Sequence, residues 1–160
     1  MSLVHALRHE IEQINGDEMR GFVVDVLADY DEKADENKDR NVYAYHTKRI
    51  VSLMRIMLEE LDITDRLMDI GTAAALIHLA GSLTDDPTGV ENRLGALALR
   101  GRYAGLQSNI GLEDYDAVMR LVEGQHGIHS PIPQVEPQLD DPVYVWLLPL
   151  AIRIAKEGVI

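Results

Sequence analysis

The sequence predicts an all-α protein: a single-domain bundle of about seven helices. Apolar residues recur at helical spacing along most of the chain, and no credible pair of strands appears. The chain has 160 residues, of which 46% are hydrophobic, which suits one compact core rather than two. We therefore expect one domain over 1–160, with residues 1–30 forming an accessory helical hairpin.

Two amphipathic helices open the chain. The first is expected to begin at Ser2 and to end near Gly16. The second is expected to be capped by Asp17 and to reach Tyr30, because its apolar residues follow the i, i+3, i+4, i+7 rule. The hairpin either caps the bundle or supplies a surface for a partner, and we favour the cap.

The central part of the chain predicts two longer helices. Asp31–Asn41 is almost entirely polar and is expected to be either a solvated loop or the polar extension of a helix end, and we favour the loop. A third helix is expected over Val42–Leu61. A fourth, capped by Thr64, should span Asp65–Gly81, and its second half is apolar almost all round, which is typical of a buried central helix.

The last part predicts three more helices. A loop at Ser82–Gly89 precedes a fifth helix over Val90–Leu106, and a sixth follows over Leu112–Gly124. The segment Gly127–Asp141 contains three prolines and is expected to be a loop.

A final helix is expected over Val143–Lys156. Asp141 and Pro142 suit its N-cap and first turn. Pro149 falls inside this helix and is expected to kink it.

Composition excludes several classes of function. The formal net charge is −12 and the chain has no cysteine, so disulfides, cysteine-ligated metals and cysteine nucleophiles are excluded. Because such an acidic chain repels phosphate backbones, we expect no nucleic-acid binding and no binding to anionic membranes. No signal peptide or membrane span is recognised, so we expect a cytoplasmic protein, with a homodimer left open.

Three histidines lie at positions expected to face the core. His46 shares a helix face with apolar residues, His78 lies on a small-residue face of the most buried helix, and His126 continues the apolar stripe of the sixth helix. Neutral imidazoles are common ligands of transition metals. Each histidine alone is also explained as an ordinary core residue with a satisfied ring nitrogen.

The residues around these histidines resemble the motifs of the HD-domain metal-dependent phosphohydrolase superfamily. His46-Thr-Lys-Arg-Ile resembles the opening H-x-x-R-V motif, and the run Ala74–Gly81 resembles A-x-L-L-H-D-x-G, with Leu79 in place of the defining aspartate. His46 and His78 are 32 residues apart, which suits the family. The resemblance implies an HD-like core over residues 42–157.

Three later segments extend the resemblance. Glu91–Ala96 resembles a segment in which many members carry a further histidine, which is absent here. Leu121–His126 resembles a helix end that often bears histidines. Leu150–Ala155 resembles the closing L-A-D-R-I-A motif, with Ile152 in place of the last aspartate.

The resemblance implies a metal-dependent phosphohydrolase whose metal site is degenerate. Members hold one or two metal ions through the H…HD…D set, but both aspartate positions are aliphatic here, at Leu79 and Ile152. Histidines without an anionic ligand bind hard cations poorly. We therefore expect no cofactor, with a divalent transition metal (Zn, Mn or Fe) held by His46, His78 and His126 as the alternative. Asp69 and Asp85 are the nearby residues that we weigh as substitute ligands.

Two arginines are candidate anion-binding residues. Arg49 lies one turn after His46, and Arg93 lies on the predicted fifth helix. If they converge, they suit a small phosphorylated ligand. The competing interpretation is that they pair with Glu59, Glu91 or Glu113 at the surface.

Three functions follow as hypotheses. The leading one is a catalytically impaired HD-like protein that acts as a binding or regulatory module. The alternative is an active metal-dependent phosphohydrolase on a nucleotide or small phosphoester, with a rebuilt three-histidine site. The third is a structural or oligomerisation subunit in which the histidines are core residues.

Overall fold

A computed structural model of the chain describes residues 2–34, 39–81, 98–125, 137–138 and 141–157. These ranges contain helices and turns and no strand. The described helices share one hydrophobic core. The predicted all-α, single-domain class is therefore confirmed.

The predicted first helix is two short helices, α1 (Leu3–Ala6) and α2 (Arg8–Glu12). Ser2 caps α1 as expected, and its hydroxyl accepts a hydrogen bond from the His5 amide at 3.1 Å. The break lies at Leu7, whose backbone leaves the helical region (φ −105°, ψ 13°). The apolar stripe is nevertheless buried throughout, because α1 and α2 both fold back onto the next helix, α3 (Asp17–Lys33).

The predicted acidic loop is shorter than expected, because α3 continues through Asp31 to Lys33 and α4 begins at Arg40. Asp31 binds the first residue of α1 and the first residue of α4. Its carboxylate accepts hydrogen bonds from the Leu3 amide at 2.8 Å and from Arg40 Nε at 2.9 Å. This carboxylate therefore connects α1 to α4. The start of the segment is the polar end of a helix, which is the less favoured of the two predicted alternatives, and residues 35–38 lie outside the described residues.

The two central helices are α4 (Arg40–Glu60) and α5 (Arg66–Ile77). Asp39 caps α4 and accepts hydrogen bonds from the first free amides of the helix. The prediction that Thr64 caps the fourth helix was wrong, since Asp65 is the residue that precedes α5 and it makes no side-chain cap hydrogen bond. The helix also ends earlier than Gly81, which leaves His78 as the C-cap residue.

Helix α5 forms the centre of the bundle. Every residue from 70 to 78 is buried, and α5 packs against α3, α4 and a later helix, α8 (Leu112–Glu123). Gly71 permits a close approach to α4, because a Cβ atom at this position would lie 2.7 Å from Leu58 Cδ1. This close approach brings the faces of α4 and α5 that carry the histidines together.

The region between α5 and α8 is only partly described. Residues 98–102 are helical (α6), a 3₁₀ turn follows at Ala104–Leu106, and α7 spans Gln107–Ile110. The predicted fifth helix, Val90–Leu106, lies partly outside the described residues, and within them it is interrupted at Tyr103. Helix α8 confirms the predicted sixth helix.

The last helix differs from the prediction in how it begins. A 3₁₀ turn at Val143–Trp146 leads into α9 (Leu147–Glu157), which packs against α4 and α5. Pro149 therefore lies in the first turn of α9, where a missing amide N–H costs nothing, and a kink is not required. Asp141 does not cap the helix. Its carboxylate binds Arg120 at 2.6 Å and the Gln138 amide at 2.7 Å.

Candidate functional site

His46 and His78 lie next to each other in the folded chain. His46 is half-buried on α4, and His78 is 2% exposed at the C-terminal end of α5. Their ring centroids are 5.5 Å apart, with the ring planes inclined at 50°. The structure thus brings together two of the three histidines singled out in the sequence.

A backbone contact sets the tautomer of His78. Its Nδ1 atom lies 2.5 Å from the carbonyl oxygen of Ala75. A carbonyl oxygen can only accept, so Nδ1 donates the proton and the neutral ring carries its lone pair on Nε2. This is the form in which an imidazole acts as a metal ligand or as a hydrogen-bond acceptor.

His46 is held in its neutral form by its surroundings. Burial lowers the pKa of His46 below its ordinary value of 6.5, and the positive charge of Arg49 lowers it further. A neutral His46 gives this place a nitrogen donor rather than a cation at neutral pH.

Arg49 is half-buried one turn after His46. Its guanidinium lies 5.9 Å from the ring centroid of Tyr45, which is a cation–π distance. Arg93 lies outside the described residues, so the predicted convergence of Arg49 and Arg93 on one anion stays a prediction.

The end of α8 is attached directly to His78. Gln125 is buried, and its Nε2 atom donates hydrogen bonds to the His78 carbonyl at 3.0 Å and to the Val122 carbonyl at 2.9 Å. The third candidate histidine, His126, is the next residue and lies outside the described residues. Sequence reasoning missed Gln125, although a glutamine on an apolar helix face is a visible signal of a buried polar contact.

The two positions at which the family motif calls for aspartate are packed. Leu79 and Ile152 are both half-buried and lie against the hydrophobic core. Their side chains offer no ligand atom, whereas the HD pattern has a carboxylate at both positions.

Asp69 does not substitute for the missing carboxylates. It lies nine residues before His78, roughly 13 Å along the helix axis, and its two oxygens each accept a hydrogen bond at 3.0 Å from the amides of Asn15 and Gly16. Asp69 therefore binds the N-terminal end of α3. Asp85, the other substitute considered from the sequence, lies outside the described residues.

The donor set of the described residues does not fit a hard cation. Across the described ranges, no three His, Asp or Glu side chains are grouped so that they could hold a metal ion. Mg²⁺ and Mn²⁺ prefer oxygen ligands, whereas the two residues brought together here, His46 and His78, offer imidazole nitrogens.

Thr47, beside His46, is a buried polar residue that the sequence analysis did not single out. It is fully buried, and its hydroxyl oxygen makes no hydrogen bond within the described part of the chain. A buried hydroxyl of this kind is costly to leave unsatisfied. It adds a polar atom to the buried face of α4 near the histidine pair.

Two surface pockets are formed by other residues. One of about 230 Å³ lies where α3, α5 and α8 begin. The other, of about 390 Å³, is a groove between α1 and α4. Neither of these two pockets is lined by His46 or His78.

Comparison with known proteins adds no relative: no family model, no curated protein and no solved structure matches this chain. The likeness to HD proteins therefore stands on the sequence motifs alone and stays a prediction. Among the described helices, none combines the length and the apolar character that crossing a membrane requires.

Proposed function

We propose that this chain is an HD-like helical module that binds a ligand or partner and has lost the hard-cation chemistry of HD phosphohydrolases. One observation carries the proposal. His46 and His78, the two histidines of the HD-like motifs, lie next to each other, while Leu79 and Ile152 are half-buried against the core. A site that keeps its histidines but replaces its carboxylates is suited to binding rather than to phosphoryl hydrolysis.

The electrostatics support the same conclusion. Hydrolysis of a phosphoester needs cations that neutralise the phosphoryl oxygens and activate a water molecule. Carboxylates hold such cations, and the described carboxylate closest in sequence to the pair on α5, Asp69, is bound to backbone amides. The positive group beside the pair is Arg49, so a small phosphorylated ligand is the class that we propose for the module.

The first test measures metal content and turnover. Protein purified without chelators is expected to contain no stoichiometric transition metal by elemental analysis. It should also show no metal-dependent hydrolysis of phosphomonoesters, phosphodiesters or nucleotides when Mn²⁺, Zn²⁺ or Fe²⁺ is added. A stoichiometric metal that is lost in His46→Ala but retained in His9→Ala, an exposed histidine on α2, contradicts the proposal.

The second test separates a binding module from a structural subunit. A thermal-shift screen of phosphorylated metabolites should find a compound that raises the Tm of the wild type, because a ligand at 100 times its Kd adds about 2.7 kcal/mol to the free energy of unfolding. The shift should be smaller in His46→Ala than in His9→Ala. If no compound stabilises the fold, the histidines are core residues of a structural or oligomerisation subunit.

A rebuilt zinc site is the second candidate function, and the histidine geometry favours it. Two imidazoles that share one tetrahedral Zn²⁺ at a Zn–N distance of about 2.0 Å have ring centroids about 5 Å apart. The observed separation is 5.5 Å. His126 would be the third ligand, as three histidines and a water form a known catalytic zinc set.

Cobalt substitution tests this alternative. Co²⁺ bound by three histidines in a tetrahedral site gives visible absorption bands, and His126→Ala should abolish them along with any phosphohydrolase activity. If Co²⁺ adds no absorption to the wild type, the rebuilt site is excluded.

A further inference from the structure

The groove between α1 and α4 differs from the rest of this acidic protein. It has a volume of about 390 Å³, within the range of small-molecule sites. Its lining contains a lysine, a histidine, an asparagine and a tyrosine on a floor of two alanines: His5, Ala6, Asn41, Ala44, Tyr45 and Lys48.

None of the described residues that line the groove is acidic, although 27 of the 160 residues of the chain are acidic. The two described aspartates near the starts of its helices have other partners. Asp31 binds the Leu3 amide and Arg40, and Asp39 caps α4. Within the described lining, the Lys48 ammonium is therefore a charged group that attracts an anion.

Tyr45 provides a flat apolar surface at the same place. The residue is 67% exposed, which is unusual for a large aromatic side chain on a helix of a small bundle. The Arg49 guanidinium lies 5.9 Å from its ring centroid. An exposed aromatic ring is suited to stacking on a planar ligand group.

We infer that the α1–α4 groove binds a small organic anion that carries a planar ring. The oxyanion contacts Lys48, with His5 and the Asn41 amide as further donors, and the ring stacks on Tyr45. Ala6 and Ala44 leave room for the ligand because their side chains are short.

This groove is separate from the histidine pair. Successive residues of an α-helix are rotated by about 100°, so Lys48 lies about 200° around the α4 axis from His46. Arg49 lies at a cation–π distance from Tyr45 and also beside His46, so it borders both places. Lys48→Ala and His46→Ala are the variants that test the two places separately.

The test is an NMR titration of ¹⁵N-labelled protein with adenosine monophosphate, adenosine and inorganic phosphate. Adenosine monophosphate should shift amide signals of α1 and the first half of α4. Adenosine and phosphate should each bind about tenfold more weakly, since each lacks one of the two contacts.

Variants assign the contacts. Lys48→Ala should weaken binding of adenosine monophosphate about tenfold, Tyr45→Ala about fivefold, and Lys48→Arg should retain most of the affinity. Lys156→Ala, which removes an exposed lysine on α9, is the matched control and should bind like the wild type. All of these positions are exposed, so folding is expected to be preserved.

Four results overturn the inference. Three of them are an absence of amide shifts at millimolar adenosine monophosphate, equal losses of affinity in Lys48→Ala and Lys156→Ala, and equal binding of adenosine and its monophosphate. The fourth is a set of shifts centred on His46 and His78, which would support the proposed function instead. Conversely, binding in the groove that survives His46→Ala leaves the inference intact whatever the histidine pair does.

Discussion

Restoring the two missing carboxylates should create a manganese site if the HD-like arrangement is correct. In the double variant Leu79→Asp, Ile152→Asp, two half-buried aliphatic side chains that pack against the core become carboxylates. Partial loss of apolar burial costs about 1–2 kcal/mol per position, and desolvation of two charges adds to it. We expect the free energy of unfolding to fall by about 3–5 kcal/mol without metal.

Manganese should recover most of this loss. A ligand at 1,000 times its Kd stabilises the folded state by about 4.1 kcal/mol. For a chain of this length, 1 kcal/mol corresponds to a change in Tm of about 2–4 °C. Mn²⁺ should therefore raise the Tm of the double variant by roughly 8–16 °C and leave the wild type unchanged, as measured by differential scanning calorimetry.

The neutral pair Leu79→Asn, Ile152→Asn is the matched control. It loses the same apolar contacts but gains no anionic ligand, so Mn²⁺ should not restore its Tm. Adding His46→Ala to the aspartate pair should abolish the recovery as well. Equal responses of the aspartate and asparagine pairs to Mn²⁺ would refute the HD-like arrangement. If the double variant does not fold, the single variant Leu79→Asp answers the same question with a smaller shift.

Three further predictions concern the scaffold. Gly71→Ala should lower the free energy of unfolding in urea by about 1 kcal/mol, because the new Cβ meets a leucine methyl at 2.7 Å. Gly21→Ala has open space around it and should raise the free energy of unfolding by about 0.5–1 kcal/mol. If both substitutions change the free energy of unfolding in the same direction, the packing of Gly71 against α4 is contradicted. Asp69→Ala should cost about 1–3 kcal/mol, because two amides lose their acceptor, and an unchanged urea midpoint would contradict this role. Because the pKa of His46 is lower in the folded chain, the unfolded chain binds a proton at this residue more tightly than the folded chain does. The free energy of unfolding should therefore fall as the pH drops below about 6.5, in a buffer that contains a metal chelator. His46→Gln should flatten that slope more than His9→Gln does.

The sequence predicted the helices and their buried faces because a local period of 3.6 residues carries that information. It failed where distant residues decide the outcome. The break at Leu7 depends on how α1 docks on α3 and α4. The cap of α3 is helped by Asp69, which is more than 50 residues away in the chain. No local pattern contains such contacts.

In the candidate site as well, local patterns could be predicted from the sequence and contacts between distant residues could not. Inward-facing positions of His46 and His78 follow from periodicity, and their proximity follows from the contact between α4 and α5. The α1–α4 groove could not be found from the sequence, because His5 and Lys48 are far apart in the chain and each looks like an ordinary surface residue. Only the docking of α1 on α4 makes them neighbours.

The described contacts also explain how a chain with a large negative net charge can contain places that bind anions. Asp31, Asp39, Asp69 and Asp141 each accept hydrogen bonds from backbone amides, and two of them also bind arginines. These carboxylates connect or begin helices, so part of the negative charge is used inside the scaffold. Among the described residues, no carboxylate is grouped with the histidine pair as a metal-ligand cluster and none lines the α1–α4 groove, and each place has a cationic side chain beside it, Arg49 or Lys48. Since attraction at short range depends on nearby charges more than on the net charge of a screened protein, both places are expected to favour anions over hard cations.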